Sequence, residues 1–317
     1  MTNIDLDNFC PAPLADPFWN ESAYFSFSIP EREIHGIMYY FFRPNMHVVM
    51  GGPAVWDGSG KTMWDCLYND WHHIQPIPQG AQKFNFKSHT SMSVELIKRQ
   101  PLGQYHLRYD NNGFKLDLMW TAVAEPHHFL GMEIEATGAS ADNRMHFEQI
   151  GRAKGTIELN GETLAVDCFG LRDCSWGRRQ IDTVKRGSYF WAVADENTAF
   201  HVQAMGDEPD QDVVGGFLRL NGVTSSLASG RRLDTVMGEL TPDRFRLQIT
   251  DKLGRSIDIT ARTLSHLMFN GLPRCQVVWS LFEADFGNGV KGWGDSQEFQ
   301  PIEKFRQMIR RNSGAHQ

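Results

Sequence analysis

The chain has 317 residues, of which 41% are hydrophobic and 22% charged, with a formal net charge of −7. That is the composition of a globular protein long enough for one large core or two of ordinary size. The negative balance leaves no footprint for nucleic acid or an anionic membrane, and no run of about 18 apolar residues is present to span a bilayer.

The first residues, MTNIDLDNFCPAPLAD, carry acids where a secretory leader would carry Lys or Arg before an apolar stretch, so no export signal is expected and the chain reads as cytoplasmic. Short alternating runs follow at residues 24–28, 36–42 and 47–50, with turns at Ser28-Ile29-Pro30 and Arg43-Pro44-Asn45 between them. Residues 62–80 mix Trp64, Trp71, His72 and His73 with Asp65, Asp70 and Tyr68. This stretch reads as irregular, and two readings are open: a pocket lid, or aromatics that pack a loop onto the body of the fold. Neighbouring residues of a strand point to opposite faces, so neither His72-His73 nor His127-His128 offers two ligands to one ion, and no metal is expected.

Strand-like runs resume at 91–98, 105–109, 115–124 and 131–136, with Asp110-Asn111-Asn112-Gly113 as a turn and the small, polar residues 138–143 as a linker. Next comes 146–179, HFEQIGRAKGTIELNGETLAVDCFGLRDCSWGRR. Residues 151–159 and 162–169 alternate as half-buried strands do, and Asn160-Gly161 between them is the two-residue turn of a β-hairpin. Beyond the hairpin, Arg172-Asp173-Cys174-Ser175-Trp176-Gly177-Arg178-Arg179 gathers guanidiniums, a carboxylate, a thiol and an indole. One reading is a structural plug: Arg172 paired with Asp173, Trp176 as filler, Gly177 as the bend, Arg178 as a further structural charge. The other turns Asp173 and Trp176 toward a cavity as a proton-transfer group and an apolar wall.

The later residues repeat the style of the earlier ones. Runs 188–194 and 198–204 pair around Asp195-Glu196-Asn197, 245–250 pairs with 256–261 around Lys252-Leu253-Gly254, and 275–284 forms a late strand. Residues 301–311 make the one convincing helix, with Ile302, Phe305, Met308 and Ile309 on a single face. Many short strands, few helical stretches and a linker near the middle predict an all-β protein of two tandem antiparallel barrels, 1–143 and 144–317, with a short C-terminal helix.

Five cysteines (Cys10, Cys66, Cys168, Cys174, Cys275) without C-x-x-C spacing fit a reducing compartment and inert buried thiols. There is no G-x-S-x-G elbow, and the glycines at Gly51-Gly52-Pro53 and Gly287-Asn288-Gly289 read as bends without a phosphate-loop context. No nucleotide, flavin or nicotinamide site is expected, and no cofactor. What remains is acid–base chemistry in an apolar box. The candidate catalytic residues are Asp173, His201, Glu148 and Tyr189, and the candidate substrate-binding residues are Trp19, Trp56, Trp71, His72, Trp176, Trp191 and Gln203. Glu283, which interrupts an apolar run, is either a reserve acid or the partner of a motif arginine.

His146-Phe147-Glu148-Gln149 with Gly151-Arg152, the hairpin, and Arg172-Asp173-Cys174-Ser175-Trp176-Gly177 together resemble the signature of the AttH-like and carotenoid 1,2-hydratase-like superfamily. Trp19-Asn20-Glu21-Ser22 and Phe41-Phe42-Arg43-Pro44-Asn45 are similar to the first-barrel start of a bacterial group within it. The resemblance implies two lipocalin-like barrels in tandem and a large apolar pocket. Among its members are carotenoid hydratases, which add water to an isolated alkene without a cofactor, and fungal enzymes that catalyse Diels–Alder cyclisations. Cys174 stands where the hydratase pattern has His, and His201 and Gln203 occupy, by spacing, positions where the hydratases use a Tyr and an acid, so the titrating groups have been exchanged.

The expectation is a cofactor-independent enzyme acting on a bulky apolar molecule (a terpenoid, polyketide, steroid or multi-ring aromatic) by hydration, dehydration or a related lyase step. A cyclase or isomerase of the Diels–Alder kind and a lipocalin-like carrier are the alternatives. Oligomeric state is open from the sequence, a homodimer included.

Overall fold

A computed structural model describes residues 9, 16–99, 102–129, 145–179, 186–270 and 274–312. They fall into two compact units. One holds the described parts of Met1–Val55, Leu67–His128 and Asp142–Arg179, and the other those of Trp56–Cys66, Phe129–Ala141 and Gln180–Gln317. The architecture is all-β, as the turn spacing predicts.

The first unit is built on an antiparallel sheet. Its strands are β1 (Trp19–Ile29), β2 (Ile34–Arg43), β3 (Val48–Trp56), β4 (Tyr68–Asn69), β5 (His72–Pro76), β6 (Asn85–Lys87), β7 (Ser93–Lys98), β8 (Gln104–Asn111), β9 (Phe114–Ala122), β10 (His127–Phe129), β11 (Met145–Leu159) and β12 (Glu162–Arg178). The order is β4-β3-β2-β1-β12-β11-β9-β8-β7-β6, with β5 on β3 and β10 on β11. Pro30 and Pro44 open single 3-10 turns after β1 and β2, and Glu33 and His47 close those turns in the left-handed region. Trp19, Ala23, Phe25 and Phe27 alternate inward from β1 and meet Tyr40 and Phe42 of β2, Tyr109 of β8 and Trp120 of β9. The ring of Phe86 in β6 lies 4.9 Å from Tyr40 and 5.1 Å from Phe42, although β6 and β2 are far apart in strand order. The sheet therefore curls on itself around one aromatic core, each large side chain of which contributes about 1.5–3 kcal/mol by burial.

The hairpin forms as expected: Asn160 and Gly161 take φ values of 52° and 82°. Its place in the chain's organisation differs from the expected division at 143/144. From Trp19↔Arg178 to Phe25↔Arg172, β12 pairs with β1, while β11 pairs with β9, so the hairpin completes the first sheet and does not begin the second unit. The reason is hydrogen bonding: without β12, the core strand β1 would keep an open edge. The expected linker 138–143 and the run 131–136 lie outside the described residues. Within 62–80, read as irregular, β4 and β5 instead pair with β3.

The second unit is a closed barrel of β13 (Gly187–Asp195), β14 (Thr198–Met205), β15 (Gln211–Leu220), β16 (Val223–Met237), β17 (Pro242–Asp251), β18 (Ser256–Phe269), β19 (Cys275–Asp285) and β20 (Lys291–Pro301). Phe190, Ala192, Phe200, Val202, Leu247, Ile249 and Phe282 fill it. The expected C-terminal helix is α1 (Ile302–Asn312), whose Phe305 packs on Leu240 and Val278. Glu283 bonds Lys291 across β19 and β20 at 2.9 Å, so its partner is not a motif arginine.

Candidate active site

Regular register in the first sheet lines up side chains across four strands. One row is Tyr39 (β2), Tyr24 (β1), Asp173 (β12) and Glu148 (β11); the next is Phe41, Ser22, Ser175 and His146. Residues directly opposite one another have Cβ atoms about 4.5–5.5 Å apart. The interleaved residues Tyr40, Ala23, Cys174 and Phe147 turn to the core, so both rows occupy the other face of the sheet. Tyr24, Ser22, Ser175, Phe41 and Glu148 are buried there.

The polar groups of these rows are linked. Ser22 Oγ and Ser175 Oγ are 2.7 Å apart, Arg179 Nη2 donates to Ser175 Oγ at 2.8 Å, and Arg179 Nη1 donates to the Tyr39 hydroxyl at 3.2 Å. His146 Nε2 and Glu148 Oε1 share a hydrogen bond of 2.7 Å. The Trp71 ring lies 5.7 Å from Tyr39 and 5.9 Å from Phe41, forming an aromatic wall beside the rows.

Burial, with Arg179 and His128 adding to it, pushes the His146 imidazole down to about 3 from its ordinary 6.5. The Glu148 carboxyl, 2.7 Å away, is itself fully buried. His146 is therefore a neutral imidazole at neutral pH, hydrogen-bonded to Glu148. Because the unfolded chain takes up this proton near 6.5 and the folded chain does not, stability is complete above pH 6.5 and is lost as pH falls toward 3. Urea titrations between pH 7 and pH 4 should show a shallower fall for His146→Gln than for the parent; equal slopes would contradict the assignment.

Asp173 and Glu148, both expected catalytic residues, are thus neighbours in one row. Trp176, expected to share a cavity with Asp173, points instead into the core, because odd and even positions of β12 face opposite ways. Its ring lies 4.8 Å from Lys83 Nζ, and Lys83 is ion-paired with Glu21 at 2.6 Å, both side chains fully buried. Trp19, another expected wall residue, donates from Nε1 to Glu21 Oε1 at 3.3 Å inside the same core. Arg172 also turns inward, away from the Asp173 face. Its guanidinium lies 4.4 Å from the Tyr105 ring and 4.9 Å from Phe84, and its Nη2 donates to Gln149 Oε1 at 2.8 Å. The Arg172 guanidinium is thus a cation among aromatic faces. Cys174, in the same core, has its thiol pushed up to about 11 by burial, which keeps it protonated and unreactive.

His72 binds Asp70 at 2.7 Å; Asp70 also accepts the Tyr109 hydroxyl, which is 2.6 Å from that of Tyr68. Trp56 is fully buried. Arg178 pairs with Asp16 at 2.9 Å, and Gly177 takes a φ of 135° opposite Asn20. In the second unit, Tyr189 pairs in register with Gln203 and Trp191 with His201. These four lie on the barrel's outer side, and the fully buried His201 ring sits 4.3 Å from Tyr189 and 5.8 Å from Phe217.

Sequence reasoning missed Tyr24, Tyr39, Ser22, Ser175, His146 and Arg179 as site residues. The last three lie in the motif, and the alternation of Ser175 with Trp176 was the available signal that Asp173 and Ser175 share a face.

A family model described as a domain of unknown function, DUF7064, matches residues 5–302. No curated protein matches the chain. An AttH-like protein from Nitrosomonas europaea superposes with a TM-score of 0.58 at 14% identity, over 89% of this chain and 92% of that one. Kievitone hydratase from Nectria haematococca gives 0.52 at 11% identity over 93% of each chain, and CghA gives 0.51 at 11% over 90% and 89%. At such identities the likeness is one of fold, and it agrees with the superfamily resemblance carried by residues 146–177.

Proposed function

Because this chain belongs to the DUF7064 family and shares its fold with a hydratase, we propose that it is a cofactor-independent enzyme that adds water to, or removes it from, a bulky, largely apolar molecule such as a terpenoid, polyketide, steroid or multi-ring aromatic. The observation that carries this reading is the in-register row of Tyr39, Tyr24, Asp173 and Glu148, of which Tyr24 and Glu148 are buried, with His146 bonded to Glu148 at 2.7 Å.

Dehydration requires an acid that protonates the departing hydroxyl and a base that takes a proton from the neighbouring carbon; hydration is the reverse. Asp173 acts as the acid. Glu148 is the base, and His146, neutral and hydrogen-bonded to it, orients its carboxylate. Tyr24, Tyr39, Phe41 and Trp71 supply ring faces that stabilise positive charge on carbon. Tyr189, His201, Trp191 and Gln203 form a second, aromatic-rich candidate group in the other unit.

Native mass spectrometry of the purified protein, followed by extraction and identification of any bound compound, tests the reading. A bound apolar compound that gains or loses one water on incubation supports it. A bound compound that the protein leaves unchanged in both directions would turn the reading to a carrier.

A further inference from the structure

Three guanidiniums gather where β2 and β12 end: Arg43, Arg178 and Arg179. Arg178 has an acid, Asp16. Among the described residues the other two bond only neutral oxygens. Arg179 donates to Ser175 Oγ at 2.8 Å and the Tyr39 hydroxyl at 3.2 Å, and Arg43 Nη1 donates to the backbone oxygens of Phe18 at 2.6 Å and Arg179 at 3.0 Å. Burial pushes Arg43 down to about 10, and the positive charge of Arg179 adds to the shift against the weaker pull of Tyr39 and Asp16. Among the described residues these two neighbouring cations bond only neutral oxygens, and the two bonds that Arg179 makes there use fewer than the five N–H donors of a guanidinium.

Arg179 also touches both rows of the candidate site, through Ser175 in one and Tyr39 in the other. We propose that Arg179, flanked by Arg43, receives an anionic oxygen of the substrate, so that the substrate class is an apolar acid carrying a carboxylate or an ionised phenol or enol. The anion neutralises the like-charged pair, and the planar fork of Arg179 accepts a carboxylate in two parallel hydrogen bonds. Anchored there, the apolar body of the molecule lies along Tyr39 and Tyr24 toward Asp173. This inference rests on the apolar-substrate reading above and adds the charge that orients the molecule.

The test compares 9-anthracenecarboxylate with its neutral counterpart 9-anthracenemethanol, by fluorescence titration of the full chain at about pH 8, where the acid is ionised. The parent protein should bind the carboxylate about 10- to 100-fold more tightly than the alcohol. Arg179→Gln should erase most of that preference, lowering affinity for the carboxylate far more than for the alcohol, and Arg179→Lys should restore only part of it, because an ammonium lacks the fork. If Arg179→Gln fails to fold, Arg43→Gln carries the same comparison. Equal binding of both probes by the parent, or full preference in the folded Arg179→Gln variant, overturns the anion assignment and leaves the apolar reading standing. Binding of neither probe overturns both.

Discussion

Lys83→Met is expected to lower unfolding free energy by about 3–5 kcal/mol, because it strands the Glu21 carboxylate inside an aromatic core. The pair is bonded at 2.6 Å with both side chains fully buried, its cation faces the Trp176 ring at 4.8 Å, and Trp19 holds the other carboxylate oxygen. A buried pair of this kind compensates two desolvation penalties more than it adds net stability, so the double variant Glu21→Leu/Lys83→Met should recover most of the loss. Denaturant titrations of the two single variants and the double variant measure this directly. A single variant within about 1 kcal/mol of the parent would show that the two charges do not depend on each other.

Asp173→Asn is expected to reduce turnover of the identified substrate by about 10²- to 10⁴-fold while the protein stays folded, since an amide cannot donate the proton that the leaving hydroxyl needs. Glu148→Gln should cost a similar factor, and the double variant little more than either alone, because groups that act as one unit are not additive. Near-ultraviolet circular dichroism separates lost chemistry from lost packing. A folded Asp173→Asn variant with full activity would remove Asp173 from the mechanism.

What was legible in the sequence is local. The alternation around Asn160-Gly161 specified the hairpin, and the spacing of Ile302, Phe305, Met308 and Ile309 specified α1, because periodicity and turn chemistry act over a few residues. β16 and β20 were not read as strands. Bulges break the alternation of β16 after Leu227 and Leu233, and the glycines of β20 look like turn residues. Gly294 is there because the backbone passes so near that an added Cβ would lie 1.6 Å from the Trp191 carbonyl oxygen.

The site was half legible for a related reason. Asp173 and Glu148 sit in one motif, so their proximity follows from the hairpin register. Tyr24 and Tyr39 join them only through the pairing of β1 with β12, and Lys83 reaches Glu21 only because the sheet curls. Pairing over such separations depends on the whole core and leaves no local pattern to read.

The position of the hairpin also bears on how the chain is made. Synthesis produces β1 first, yet its neighbour β12 leaves the ribosome only after most of the first unit has already emerged. Until then the nascent chain carries an aromatic-rich strand with an open hydrogen-bonding edge, the kind of surface that chaperones cover and that seeds aggregation. Met145–Arg178 thus acts as a late latch. Transcripts or fragments that stop short of it would yield insoluble product, however complete their preceding strands.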